Sequence, residues 1–122
     1  MVDLLLASDA APRIRERVFQ ADEVLHAPAL LDLEVTQVLR RECMRGEVRL
    51  LRATEALNVY RGLDIRRHFH HRLLGRIWDL RHNLTAYDSA YLALAESLNA
   101  PLLTRDAGLA RIGRRTAAVE LI

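Results

Sequence analysis

The 122-residue chain is 51% hydrophobic and 28% charged, which excludes a disordered tail and allows a core without disulfide or metal staples. It has no run of about 18 apolar residues, and its start lacks the pattern of a secretory signal. All 18 basic residues are arginines opposed by 16 acids, and a net charge of +2 does not by itself imply nucleic acid. We expect one cytoplasmic domain over residues 1–122 that does not contact a membrane.

Apolar periodicity predicts helices that alternate with short buried strands. The chain opens with predicted helices at residues 2–6 and 12–20, with no strand before them. Predicted strands then cover residues 23–27, 63–67, 101–104 and 117–122, and predicted helices cover residues 33–45, 52–60, 71–80, 85–98 and 107–112. This alternation indicates an α/β fold with a parallel sheet and helices on both faces.

Three acidic residues are predicted to lie at the edge of the sheet where the strands end. Two of them come after a strand, and Asp88 comes there because a helix antiparallel to a strand begins at that strand's carboxyl end. Glu34 lies at the start of the helix after strand 23–27, Asp88 in the first turn of helix 85–98, and Asp106 just past strand 101–104. Functional sites of open parallel sheets lie at this edge, so we expect the three carboxylates to converge there. Their mutual repulsion would be reversed by bound Mg²⁺ or Mn²⁺. A carboxylate-held metal that activates water is the chemistry of nucleases.

Each acid also has a purely structural interpretation. Thr85 and Asp88 fit a capping box, and Asp106 fits the N-cap of the helix that follows it. Glu34 can lie on a solvated helix face, and Asp32 is the better N-cap for that helix, a role that we predict for it.

The other clusters are less specific. His68, His70, His71 and His82 form a possible zinc site, but the run straddles a strand-to-helix turn without a nearby cysteine, which favours a solvated basic edge. Cys43 and Trp78 fit core positions. The arginines close to helix 85–98 can grip RNA phosphate or form a solvated helix face; they are Arg72, Arg76 and Arg81.

Two motifs resemble a known family. The run LTAYDSAYLALAE at residues 84–96, followed by LLTRD at residues 102–106, closely resembles the second half of PIN-domain proteins, and most of all the VapC toxins of bacterial type II toxin–antitoxin pairs. The run LLDLEV at residues 30–35 resembles the family segment that carries its second acid. The runs at residues 84–96 and 102–106 are specific for the family when they are found together at this distance.

The resemblance implies a three-layer α/β/α fold with a mostly parallel sheet, and a ribonuclease that depends on Mg²⁺ or Mn²⁺. Glu34, Asp88 and Asp106 match the second, third and fourth acids of the family, and Thr104 matches the hydroxyl residue beside the last acid. An RNA substrate, an antitoxin protein that blocks the site, and a homodimer are implied as well. Arg105 joins the three arginines named above as a candidate RNA contact.

The chain departs from the family at its start. VapC-like chains usually begin with a central strand that ends in Asp-Ala-Ser and carries the first metal ligand, before an apolar run like residues 1–6. Asp3 is no substitute, because it lies too late and in a predicted helix. We therefore interpret the chain as lacking about ten residues of the pattern. We expect low stability and weak activity, and the alternative is a degenerate PIN protein that only binds an antitoxin.

Overall fold

A computed structural model describes residues 24–122, which form two compact units. Among the described residues, the first unit holds residues 24–26 and Leu30–Arg66, and the second holds Ala27–Ala29 and Arg67–Ile122. The helices predicted at residues 2–6 and 12–20 lie outside the described residues.

The first unit is built on a helical hairpin. Its helices α1 (Leu31–Met44) and α2 (Leu50–Arg61) pack together. Strand β1 (Leu25–Pro28) precedes the two helices, and strand β2 (Ile65–His68) follows them and pairs with β1. The turn after α1 is made by Gly46, whose φ of 76° is left-handed and suits glycine. The helix interface buries small and apolar side chains; these are Val35, Leu39, Ala53, Ala56 and Tyr60.

The start of α1 differs from the prediction. Leu30 is the N-cap residue and makes no side-chain cap bond, so the predicted capping role of Asp32 is wrong. The helix begins at Leu31, which places Asp32 inside the first turn. There its Oδ1 accepts a 2.6 Å hydrogen bond from the hydroxyl of Tyr60, which is 2% exposed. A buried tyrosine hydroxyl needs such a partner, and Asp32 supplies it from the facing helix.

The second unit alternates helices and strands. A 3₁₀ turn (His71–Leu73) runs into α3 (Leu74–Asp79), followed by α4 (Ala86–Leu98), β3 (Leu102–Thr104), α5 (Ala107–Gly113) and β4 (Val119–Leu121). β3 and β4 are parallel, with Leu102 opposite Val119 and Thr104 opposite Leu121. A core cluster underlies these elements and consists of Leu80, Leu92, Ala95, Leu102 and Leu109. The α/β class is thereby confirmed.

Two side chains predicted for the core lie elsewhere. Trp78 is 66% exposed, because α3 is only six residues long and buries the neighbouring Ile77 instead. One step along a helix turns a side chain by about 100°, so Trp78 leaves the buried face. Cys43 is half-buried and helps line an open groove of about 300 Å³ on the α1–α2 hairpin. In the described part of the chain, no helix has both the length and the apolar character to cross a membrane.

Candidate active site

Asp88 is held by the first turn of α4. Thr85 is the N-cap of this helix, and its Oγ1 accepts a 3.1 Å hydrogen bond from the backbone N–H of Asp88. Capping of this kind satisfies one of the N–H groups that a helix start leaves without a partner. The predicted capping by Thr85 is confirmed, and it fixes the backbone from which the half-buried Asp88 carboxylate extends.

Asp106 is held by the start of α5 and by the end of β3. Its Oδ1 accepts a 3.1 Å hydrogen bond from the N–H of Leu109, which confirms the predicted N-cap. The Oγ1 of Thr104 accepts a 3.0 Å bond from the N–H of Asp106. Thr104 therefore anchors the backbone of the acid that follows the strand. The capping role uses one carboxylate oxygen, Oδ1, so it does not exclude a second role for the other.

Asp88 and Asp106 lie close enough to interact. Partial burial raises the pKa of Asp88 above its ordinary value, the charge of Asp106 raises it further, and the hydrogen bond with Thr85 acts in the opposite direction. The structure thus brings together two acids that are 18 positions apart. The charge of Asp106 makes the ionised state of Asp88 less favourable, as expected when like charges share a site.

Glu34 lies in the first unit, in the first turn of α1, and is half-buried. Its backbone N–H donates a 3.0 Å hydrogen bond to the carbonyl of Leu30. Within residues 24–122, no three His, Cys, Asp or Glu side chains form a group that could hold a metal ion. The carboxylates that the structure brings together are therefore the pair Asp88 and Asp106, and a shared site with Glu34 stays a prediction.

The pair has the donor chemistry of a divalent-cation site. Carboxylate oxygens are the ligands that Mg²⁺ and Mn²⁺ prefer, and a bound cation favours the ionised state that burial and mutual repulsion oppose. The residues present therefore fit such an ion. The histidine run does not fit zinc in the same way: His68 and His70 are half-buried and His71 is exposed, without a ligand group of three in the described chain.

Arg76 has a partner that the sequence did not indicate. Its Nε and Nη2 donate to Oε1 and Oε2 of Glu96 at 2.7 and 2.9 Å, a bidentate ion pair between α3 and α4. The hydrogen bonds that Arg76 donates to Glu96 lower the pKa of Glu96 and raise the pKa of Arg76. This geometry gives Arg76 a role in the packing of the two helices, and its contact with RNA phosphate stays a prediction. No local pattern links residues 20 positions apart, so sequence reasoning missed the pair.

The remaining candidate arginines are exposed: Arg72 in the 3₁₀ turn, Arg81 after α3, and Arg105 beside Asp106. The guanidinium of Arg81 lies 4.8 Å from the ring centroid of Trp78, and its Nη1 donates a 3.0 Å hydrogen bond to the Trp78 carbonyl. Such a cation–π contact orients the guanidinium plane along the indole. Arg81 is therefore held in place at the surface of the second unit.

Comparison with known proteins places these residues within a match to the PIN domain family over residues 1–115. Ribonuclease VapC9 of Mycobacterium tuberculosis (strain H37Rv) is 38% identical over 102 residues, covering 84% of this chain and 80% of that protein. Ribonuclease VapC1 of the same strain is 38% identical over 118 residues, covering 96% and 89%. Ribonuclease VapC12 is 35% identical over 124 residues, covering 99% and 92%.

Proposed function

The chain belongs to the PIN-domain family, and from that premise we propose that it is a metal-dependent endoribonuclease that acts as the toxin of a toxin–antitoxin pair. The observation that carries the proposal is the interacting pair Asp88 and Asp106, in a chain whose relatives at 35–38% identity are named ribonucleases. The proposal includes an antitoxin protein as partner and a homodimer as the assembled state.

The roles follow from the chemistry of the residues. Asp88 and Asp106, together with Glu34, would hold Mg²⁺ or Mn²⁺, and such an ion supplies an activated water and stabilises charge on a phosphate. Thr85 and Thr104 hold the backbones of the two aspartates in place before substrate arrives. Because a hydroxyl can accept and donate hydrogen bonds at once, the Thr104 hydroxyl can also donate a hydrogen bond to a nearby oxygen, such as one of a phosphate. Arg72, Arg81 and Arg105 would contact the RNA backbone.

The test is cleavage of RNA by the full chain with Mg²⁺ or Mn²⁺, and with a chelator. Asp88→Asn keeps the shape of the side chain and removes its charge, so it should lower cleavage more than about 100-fold, because changes to groups that merely orient metal ligands already cost about 10- to 100-fold. Asp64→Asn, in the exposed turn before β2, is the matched control and should retain wild-type cleavage.

The outcomes separate the two hypotheses. Cleavage that persists in chelator, or in Asp88→Asn, contradicts a carboxylate-held metal. A folded wild-type chain that binds a partner antitoxin but shows no metal-dependent cleavage supports the alternative of a degenerate PIN protein that only binds.

A further inference from the structure

Residues 67–82 of the second unit combine arginines and histidines with exposed aromatic rings, and we name them the basic–aromatic segment. It contains four arginines, four histidines and a single acid, a formal charge of +3 in a chain whose total is +2. The segment runs from the end of β2 through the 3₁₀ turn and α3 to the turn before α4. Residues 40–52 and 105–115 each carry a formal charge of +3 as well, so this segment is one of three that attract an anionic partner.

Two large aromatic side chains in the segment are exposed. Phe69 is 73% exposed and Trp78 is 66% exposed, although burial of such rings would stabilise the fold. Phe69 stacks on His70, with ring centroids 4.9 Å apart and an interplanar angle of 20°. The guanidinium of Arg81 lies over the ring of Trp78 and donates a hydrogen bond to the Trp78 backbone carbonyl. Each exposed ring is thus steadied by a flat nitrogen-containing group, which lowers the cost of ordering it on binding.

Flat exposed rings beside guanidinium groups match the chemistry of unpaired nucleobases. Bases stack on aromatic rings and on guanidinium planes, and arginines pair with the phosphates between them. In a duplex the faces of the bases are covered by their neighbours, so only unpaired nucleotides can use such rings. An acidic peptide would satisfy the arginines but would have no flat faces for Phe69 and Trp78.

We propose that the basic–aromatic segment is a stacking surface for unpaired bases of RNA, with Trp78 and Phe69 as the stacking rings and Arg72 and Arg81 as phosphate contacts. This inference rests on the proposed action on RNA and names the residues that would contact its bases and phosphates. α3 packs on α4, whose first turn carries Asp88, so a strand bound here lies on the unit that holds the carboxylate pair.

The sequence contains a single tryptophan, so the emission of Trp78 reports directly on stacking. The full chain is titrated, in chelator so that no cleavage occurs, with a labelled single-stranded RNA of 12 mixed nucleotides and with the matching duplex. The single strand should quench the emission and bind more tightly than the duplex, as measured by anisotropy. Trp78→Ala should weaken single-strand binding about 5- to 150-fold, the range for loss of one stacked base.

Matched variants separate stacking from general damage. Trp78→Phe keeps a ring and should bind within about threefold of wild type. Leu51→Ala truncates a leucine of the first unit that is 71% exposed, and should leave RNA binding unchanged. Arg72→Ala should lower affinity and reduce the slope of log K against log salt by about 0.7, the effect of one phosphate contact to a single strand. Circular dichroism of each variant checks that it is folded.

Several results overturn the inference: no RNA binding, equal affinity for the duplex, unchanged emission at saturation, or wild-type affinity in folded Trp78→Ala. The last result is also what a protein-docking use of this segment predicts. The proposed nuclease activity fails separately, because cleavage is measured with metal present. Quenching without cleavage refutes the nuclease and keeps the stacking surface, whereas cleavage with unaltered Trp78→Ala binding refutes the stacking surface alone.

Discussion

Asp106 combines a capping role with a proposed catalytic one, and two substitutions separate them. Its Oδ1 accepts the Leu109 N–H at 3.1 Å, and asparagine offers an equivalent oxygen without the charge, whereas alanine offers neither. Loss of an N-cap acceptor costs about 0.5–2 kcal/mol, typically about 1 kcal/mol, whereas asparagine ranks with aspartate as a cap. Asp106→Ala should therefore be destabilised by about 1 kcal/mol, which lowers Tm by about 4 °C in a chain of this size.

Asp106→Asn should keep almost the full stability. It loses a favourable charge at the helix N-terminus, worth about 0.3–1 kcal/mol, and it also loses the repulsion between this carboxylate and that of Asp88. These two changes oppose each other. In the cleavage assay both variants should be equally inactive, because the ionised carboxylate is absent from each.

The assays are urea unfolding followed by circular dichroism in chelator, and RNA cleavage with Mg²⁺ or Mn²⁺. Full cleavage by Asp106→Asn would show that the charge is not needed and would leave Asp106 as a cap only. Wild-type stability of Asp106→Ala would show that the bond to Leu109 contributes nothing. Either result refutes the argument that this residue has both functions.

Three further predictions concern the helices around the pair. Because the pKa of Asp88 is raised, the folded protein holds that proton more tightly than the unfolded chain does, so stability is lost as pH rises from the ordinary value of 3.8 through the raised pKa. In urea unfolding with chelator, the free energy of unfolding of Asp88→Asn should therefore rise relative to that of wild type over this pH range. A difference between the two proteins that does not change with pH would contradict the prediction. Ser89 is 0% exposed and its Oγ has no hydrogen-bond partner among residues 24–122, so Ser89→Ala should keep or raise the free energy of unfolding, by up to about 1 kcal/mol. The control is Ser97→Ala, which removes a hydroxyl that donates to the Leu94 carbonyl, and a loss above about 1 kcal/mol in Ser89→Ala would refute the reasoning. A double-mutant cycle on Arg76 and Glu96 should give a coupling of about 1 kcal/mol, below the value for buried charged hydrogen bonds because Arg76 is 36% exposed; zero coupling would show that the pair is only incidental.

The starts of α4 and α5 were predictable because their signals are local. α4 begins at the threonine that caps it, and α5 begins after Asp106, both within reach of residues three positions away. The apolar stripes of α1 and α4 repeat over three or more turns and specify a buried face. α3 is too short to show such a stripe. The sequence therefore predicted that Trp78 lies in the core, whereas in the structure Ile77 is the buried residue and Trp78 is exposed.

The contacts that escaped prediction are those between elements far apart in sequence. The hydroxyl of Tyr60 donates a hydrogen bond to Asp32, which is 28 positions away, and Arg76 donates to Glu96, which is 20 positions away. In both cases a side chain with a plausible local role, as a cap or as a phosphate contact, was engaged by a facing helix. The approach of Asp88 to Asp106 was predictable, in contrast, from the topology alone. A helix that runs antiparallel to the following strand begins at the edge where that strand ends, so the start of α4 and the end of β3 lie together.

The placement of the two aspartates at helix starts explains how the fold tolerates a repelling pair. Each lies where unsatisfied backbone N–H groups and the positive end of the helix dipole favour negative charge. Thr85 and Thr104 hold the backbones of the aspartates through N–H bonds and leave the carboxylates to be balanced by the helix ends. The raised pKa of Asp88 shows that this balance is incomplete, because burial and the Asp106 charge outweigh the hydrogen bond from Thr85. The remaining electrostatic cost is one that the proposed divalent cation would relieve.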